Sequence, residues 1–301
     1  MTEPRTDIIK YGDAAMFEAQ PMLKEEGHAV TPRVFLLSAT PDPLGSIAAG
    51  FRMYGGKPTY DLSDITDDER EWAWEESLKT HLKAPWEFVD LHFFIEGVTR
   101  SFTHQMVRQR TAVYAQESLR FAVKHGFADE VARPPSIVGD EGPAKIWDDT
   151  VKAVEQAYEQ LVNAGIPAED ARGLLPHCVT TRLNYKTTFR GLIEHAGNRL
   201  CTQAQFEWRS VFIGIMKAIR EYSRGRNNWQ FELLARPIAQ TFSPVCYKIG
   251  RCPYMGTLDR GCTIRDRVND GRFDDIDPLE WMANPLAGLT TDTNRPSPES
   301  P

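Results

Sequence analysis

From Trp86 to Glu96 the chain alternates, with Val89, Leu91, Phe93 and Ile95 on one set of positions and Phe88, Asp90, His92 and Phe94 on the other. A period of two with one apolar and one mixed set describes a strand with one buried face. Ile95, Val98, Phe102 and Met106 then follow the i, i+3, i+4 spacing of a buried helical stripe, so the strand delivers the chain directly into a helix.

That helix carries the most unusual stretch of the sequence, residues 103 to 121, which holds three arginines, three glutamines and a serine among mostly apolar positions. Gln105 and Arg108, three apart, share one helical face. Arg108 and Arg110 point roughly 200° apart and so serve different ligands or different subunits. Past Thr111, Val113-Tyr114-Ala115 favours extended chain, and Gln116 to Arg120 are read as a loop leading into a short strand. A loop with Ser118 and Arg120 can wrap backbone N–H groups and a guanidinium fork around a phosphate. The stretch therefore reads as a binding site for an anion attached to a planar polar ring. The competing reading is a solvated basic helix end that binds nothing.

With 301 residues and 41% hydrophobic composition, the chain can bury a full core as one large domain or two small ones. A net charge of −7 argues against general nucleic-acid binding, which needs an extended basic face. No apolar run approaches the ~18 residues that span a bilayer, and the N-terminus lacks an apolar signal core, so a cytoplasmic protein without membrane contact is expected. Five cysteines, an odd number, suit free thiols better than a disulfide framework. Cys246, Cys252 and Cys262 lack the paired spacing of structural zinc, and no metal is expected.

Taken in order, residues 1–32 are an irregular N-terminal extension with Ile8-Ile9 as a short edge strand. Arg33 to Ala39 reads as a buried strand, Thr40-Pro41-Asp42-Pro43 starts a helix over Leu44 to Phe51, and Thr66-Asp67-Asp68-Glu69 is a capping box opening a helix to about Lys79. Its tryptophans, Trp72 and Trp74, read as core or interface anchors. A helix over about 146–164 has Val151, Val154, Tyr158 and Leu161 in register, Pro167 opens a short helix carrying Arg172, and a helix over about 202–222 has the stripe Trp208, Val211, Ile215, Ile219. Residues 246–301 form a C-terminal extension with a disordered tail from Asn294. There are no repeats, no glycine-rich phosphate loop and no His-Glu-x-x-His.

These residues resemble the flavin-dependent thymidylate synthases. That family's signature is Arg-His-Arg, seven residues, then Ser, with Gln three before the first Arg and Arg two after the Ser. Gln105, Arg108, Arg110, Ser118 and Arg120 match it, with Gln109 in place of the central His. The similarity extends to His81 with Pro85-Trp86-Glu87, to Arg172-Gly-Leu-Leu-Pro176, to Arg190, and to Arg199 followed by Ala204-Gln205-Phe206-Glu207; it covers residues 33 to 222 in ordered blocks within a catalytic domain of residues 33–245.

The resemblance implies an α/β fold of the α+β type, a mostly antiparallel central sheet flanked by helices, in a homotetramer with shared active sites. It implies FAD as cofactor and reductive methylation of dUMP to dTMP, with methylenetetrahydrofolate and NADPH as co-substrates. By similarity Gln105, Arg108, Gln116, Glu117, Ser118, Leu119, Arg120, Arg172 and Arg199 hold dUMP, Arg199 polarising the uracil at N3. His81, Arg108, Gln109, Arg110, Gln116, Thr188, Arg190 and Glu194 would face the flavin. Carbon 5 of uracil is a poor nucleophile until negative charge at N3 and O4 is stabilised, which a partly desolvated arginine does without changing protonation.

The chain departs from the family at Gln109, which cannot become cationic near neutral pH. Thr188 and Glu194 stand where amides or imidazoles are more frequent, and Phe121 replaces a Tyr. These changes leave two other outcomes open, hydroxymethylation of a pyrimidine deoxynucleotide and a non-catalytic nucleotide-binding paralogue. Cys178, in Pro176-His177-Cys178, reads as a core thiol and not a nucleophile. Ser118, with no base placed locally, reads as a ligand contact.

Overall fold

The computed structural model describes residues 32–138, 140–201, 204–236, 241–253, 262 and 265–271. The Ile8-Ile9 strand, most of both terminal extensions and the tail lie outside them.

Strands β1 (Arg33–Ala39), β2 (Asp90–Thr99), β3 (Ala112–Gln116) and β4 (Thr180–Thr188) form one sheet in the order β1-β2-β4-β3, every neighbour antiparallel. Helices α1 (Pro43–Tyr54) and α2 (Asp67–Lys79) follow β1, and α3 (Arg100–Met106) joins β2 to β3. Between β3 and β4 come α4 (Pro135–Val138), α5 (Glu141–Asn163) and α6 (Ala168–Ala171). After β4 come α7 (Phe189–Arg199), α8 (Glu207–Arg226), α9 (Gln230–Leu234), α10 (Val245–Ile249) and α11 (Arg265–Asn269). The mixed helix and antiparallel sheet is the α+β class expected.

The alternating set of β2 is buried as read: Val89, Leu91, Phe93 and Ile95 are all closed to solvent. The strand begins at Asp90 and not near Trp86, because Ala84–Phe88 is a 3-10 turn pinned by the Trp86 indole donating to Ser77 Oγ (2.9 Å). Ile95 and Val98 belong to β2, whereas α3 starts only at Arg100. A bulge between Glu96 and Val98, with Gly97 at φ +70°, flips the side-chain parity and turns Val98 toward the core. The three-residue spacing there is that of a bulged strand, not of a helix.

Strand β1 is an edge strand, not a buried one, with Phe35 and Leu37 each 41% exposed. Helix α8 covers its other face so closely that a Cβ on Gly214 would meet Val34 Cγ2 at 2.7 Å. The stripe Trp208, Val211, Ile215, Ile219 is buried as expected, but α8 starts at Glu207. Ahead of it the Ala204 amide reaches Cys201 O and the Trp208 amide reaches Gln205 O, a turn that directs Gln205 inward.

Both helix starts near the N-terminal half behave as read. Asp42 accepts from the Gly45 amide at the start of α1, and Thr66 and Glu69 complete the capping box of α2. Trp74 is buried, whereas Trp72 is exposed. A second, smaller core of Phe127, Val131, Val151, Tyr158, Ala171, Cys178 and Val179 lies under α5, joined by Val154 and Leu161. Among the described residues no helix is long and apolar enough to cross a membrane.

Candidate active site

Three groups of predicted side chains can be built from the elements that carry them. The first sits where α3, α7 and α8 meet. Thr99 caps α3 by accepting from the Phe102 amide (3.0 Å), and its own N–H and hydroxyl donate to the two oxygens of Glu207 (2.8 and 2.7 Å). Gln205 Nε2 donates to Glu207 Oε2 (2.5 Å), and Gln105 Nε2 donates to Gln205 Oε1 (2.6 Å). Gln105 Oε1 then accepts from Arg199 Nη1 (3.2 Å) and from the Trp208 indole (3.0 Å), while the Arg199 guanidinium stacks 4.8 Å from the Trp208 ring centre. Gln105 and Arg199, 94 residues apart, are thus brought together.

Glu207 is only 1% exposed, and burial pushes its carboxyl up to about 7 despite the Thr99 and Gln205 hydrogen bonds that pull it down. His195, against Trp208, is held down to about 3 by burial and then by Arg199, so its ring is neutral at neutral pH.

The second group lies beyond β3. Gln116 ends that strand, paired with Leu183, and donates to Thr103 Oγ1 (2.9 Å). The strand therefore precedes the loop of residues 117–120 and does not follow it. Ser118 O accepts from the Phe121 and Ala122 amides, closing a turn with Leu119 buried and Ser118 and Arg120 exposed. Glu117 pairs with Lys124 (2.8 Å) and Arg182 (3.2 Å). Arg120 pairs with Glu169 (2.6 Å), whose backbone O accepts from Arg172 Nε (3.0 Å). Arg100, at the start of α3, is held below its ordinary pKa by burial and then by Arg172. Glu169 thus holds Arg120 by its carboxylate and Arg172 by its backbone carbonyl, and Arg100 lies near enough to both Arg172 and Glu117 to be affected by their charges. The small core under α5 carries this loop, since the Lys124 amide donates to the Tyr158 hydroxyl (3.3 Å).

The third group centres on Gln109. Helix α3 ends at Met106, so the angular argument placing Arg108 and Arg110 on opposite helical faces does not hold. Its end is closed by the Tyr114 hydroxyl, which lies 2.9 and 3.1 Å from the carbonyl oxygens of Met106 and Gln109. The Gln109 amide turns inward, donating to Gly191 O (2.9 Å) and accepting from the Tyr185 hydroxyl (2.8 Å). Its side chain locks the α3–β3 turn onto β4 and α7. Arg108 and Arg110 are exposed, and neither guanidinium has an ion-pair partner among the described residues.

Thr188 caps α7, accepting from the Gly191 amide (3.2 Å). Arg190 on the first turn pairs with Glu194 (2.8 Å) and Glu87 (2.6 Å). His81 is exposed.

Sequence reasoning gave no site role to Arg100, Glu169, Gln205 or Glu207, although Gln205 and Glu207 fall in a block that resembles the family, and it read Trp208 only as part of a buried helical stripe. Glu207 carried no periodic signal, because its neighbour Trp208 occupies the apolar stripe. Cys178 is pushed up to about 11 by burial and is protonated at neutral pH, in keeping with a core thiol. Burial, followed by the neighbouring Cys201, Cys262 and Cys252, raises the Cys246 thiol to about 12. Among the described residues no group of three or more His, Cys, Asp or Glu is arranged to hold a metal ion.

The sequence profile of the thymidylate synthase complementing protein family matches residues 35–223, which span all four strands except the first two residues of β1. The chain belongs to that family. Named relatives include the flavin-dependent thymidylate synthase of Pyrococcus furiosus, 30% identical over 241 residues that cover 78% of this chain and 95% of the relative. The protein of the same name from Geobacter sulfurreducens is 30% identical over 190 residues, covering 62% and 82% of the two chains. That from Sulfolobus acidocaldarius is 34% identical over 187 residues, covering 60% and 69%.

Proposed function

We propose that this protein is a flavin-dependent thymidylate synthase that converts dUMP to dTMP, taking the methylene carbon from methylenetetrahydrofolate and electrons from NADPH. The observation that carries the reading is the joining of two donor groups through one helix. Gln105 and Arg199, hydrogen-bonded to each other, set amide and guanidinium N–H donors side by side for a pyrimidine edge, and Arg100, Arg120 and Arg172 offer positive charge for a phosphate. Thr103, bonded to Gln116, lies between them on α3. The names of the relatives match this chemistry.

The residues present fit FAD in their donor set. Arg108 and Arg110 are cations without an ion-pair partner among the described residues, suited to a pyrophosphate, and Arg190 with Thr188 begins α7 beside them. Gln109 would offer such a cofactor little beyond the second lone pair of its carbonyl, because its side-chain amide is committed to Tyr185 and Gly191, its backbone N–H donates to Met106 O, and its C=O already accepts from the Tyr114 hydroxyl. When bound, the flavin supplies the hydride chemistry. The chain's own task is to hold the nucleotide and to stabilise charge. Once the N3 proton of the uracil is lost to solvent, Arg199 would donate to N3 and O4 and stabilise the anion, whose carbon 5 is electron-rich enough to attack the methylene carbon. Exposed Phe35, Leu37 and Val113 on the outer sheet face favour self-association, consistent with a homotetramer.

Purified protein should load with FAD, acquire flavin absorbance, and yield a product of dTMP mass. A product heavier by one oxygen would indicate hydroxymethylation, and a protein that cannot take up FAD would overturn the proposal. The two ends of the site should also separate kinetically. Arg172→Ala or Arg120→Ala should chiefly raise KM for dUMP, since a phosphate contact contributes equally in ground and transition states. A fall in kcat at unchanged KM would contradict that assignment.

A further inference from the structure

We infer that Glu207 is a positioning residue that sets the amide orientation of Gln205 and Gln105 and so holds Arg199 in place, an inference that rests on the proposed function. The argument is one of hydrogen-bond parity. The chain of contacts has donors at both ends: the Thr99 amide at one, and the Arg199 guanidinium with the Trp208 indole at the other. None of these three can accept.

Reading from Arg199, the Gln105 oxygen must face the guanidinium, so its nitrogen faces Gln205. The Gln205 oxygen must then face Gln105, so its nitrogen faces residue 207. Reading from Thr99, residue 207 must present oxygen to the amide. Two amides passing orientation inward from opposite donor ends cannot meet without a donor facing a donor. One member of the chain must accept on both sides, and only a carboxylate does so. Glu207 is that member. Its near-complete burial excludes water as a substitute acceptor.

Glu207→Gln leaves size and shape unchanged and breaks the parity. The mismatch must fall at the Thr99 amide, between 207 and 205, between 205 and 105, or at Arg199, and in the last two cases the guanidinium loses the Gln105 side-chain oxygen as an acceptor. The exchange Gln205→Glu with Glu207→Gln moves the double acceptor by one place and restores every contact along the chain, the Thr99 hydroxyl turning to accept.

The test is dUMP affinity by calorimetry alongside thermal unfolding, on FAD-loaded wild type, Glu207→Gln and the exchange variant, at about pH 8 where the carboxylate is ionised. Glu207→Gln should bind dUMP at least about tenfold more weakly, and the exchange variant should recover affinity to within about threefold of wild type. Wild-type affinity in Glu207→Gln would overturn the inference, even if the protein were less stable, because Glu207 would then be structural only. A folded exchange variant that stays weak would also overturn it. Should Glu207→Gln fail to fold, a folded exchange variant with near-wild-type affinity still supports the parity argument. Wild-type protein that does not bind dUMP would instead remove the functional reading, and this inference with it.

Discussion

Replacing Arg199 by alanine should lower kcat for dTMP formation by about 10²–10³-fold, the loss typical of one donor aimed at developing negative charge. The interaction strengthens as N3 and O4 gain charge, so the loss should fall on kcat more than on KM. The structure supplies the competing account as well: Arg199 donates to Gln105 and stacks on Trp208, and an arginine so placed also contributes to packing between α7 and α8. Kinetics must therefore be read on folded, flavin-loaded variant. Near-normal kcat with a raised KM would refute the electrostatic role. Parallel losses of thermal stability, flavin retention and activity would reduce Arg199 to a structural residue.

The second large effect belongs to Trp74. Its ring packs 6.0 Å from Trp86 and 5.9 Å from Phe189, and Trp86 lies 5.1 Å from Phe189. This aromatic cluster binds α2 and the 84–88 turn to the first residue of α7, the helix that carries Arg190, Glu194 and Arg199. Trp74→Ala should destabilise the fold by about 3–5 kcal/mol, combining lost transfer free energy with a cavity too enclosed to collapse. Urea unfolding should show a lowered midpoint with little change in slope. Trp74→Phe should lose less than half as much, since the indole N–H has no hydrogen-bond partner among the described residues to forfeit. Trp72→Ala, at a side chain 57% exposed, should be close to neutral. Equal costs at the two positions would contradict the packing argument.

How far each element was legible follows from where its information lies. Strand β2 and the stripes of α5 and α8 announce themselves because one buried face writes a period into the sequence. Strand β4 has the same kind of signal, with Thr181, Leu183, Tyr185 and Thr187 buried at alternate positions, but two of those four are threonines and weaken the apolar contrast. For that reason its pattern does not read as a strand, and α7, which continues from it, does not stand out as a helix. The bulge at Gly97 produced a spacing of three that imitates a helix. The end of α3 could not be read at all, because it is set by Tyr114 and Gln109 reaching groups in other elements.

At the site, the motif residues were legible as residue types at fixed spacing. Their partners were not. Glu207 and Gln205 act through hydrogen bonds to Thr99 and Gln105, about a hundred positions away, and no local pattern encodes such a contact. Likewise Glu169, which gathers Arg120 and Arg172, looks in sequence like a first-turn acid beside Pro167. Gln109 shows the converse case: its departure from the family's histidine was plain in the sequence, but its inward hydrogen bonds to Tyr185 and Gly191 needed the fold.

The most direct test of the account is whether the purified, FAD-loaded protein releases the hydrogen at carbon 5 of dUMP. With dUMP labelled at that position, methylenetetrahydrofolate and NADPH, the label should pass to water in step with dTMP formation, and each omission should stop net turnover. Tight dUMP binding with the label retained under every cofactor condition would contradict it, and would leave a nucleotide-binding protein without synthase activity.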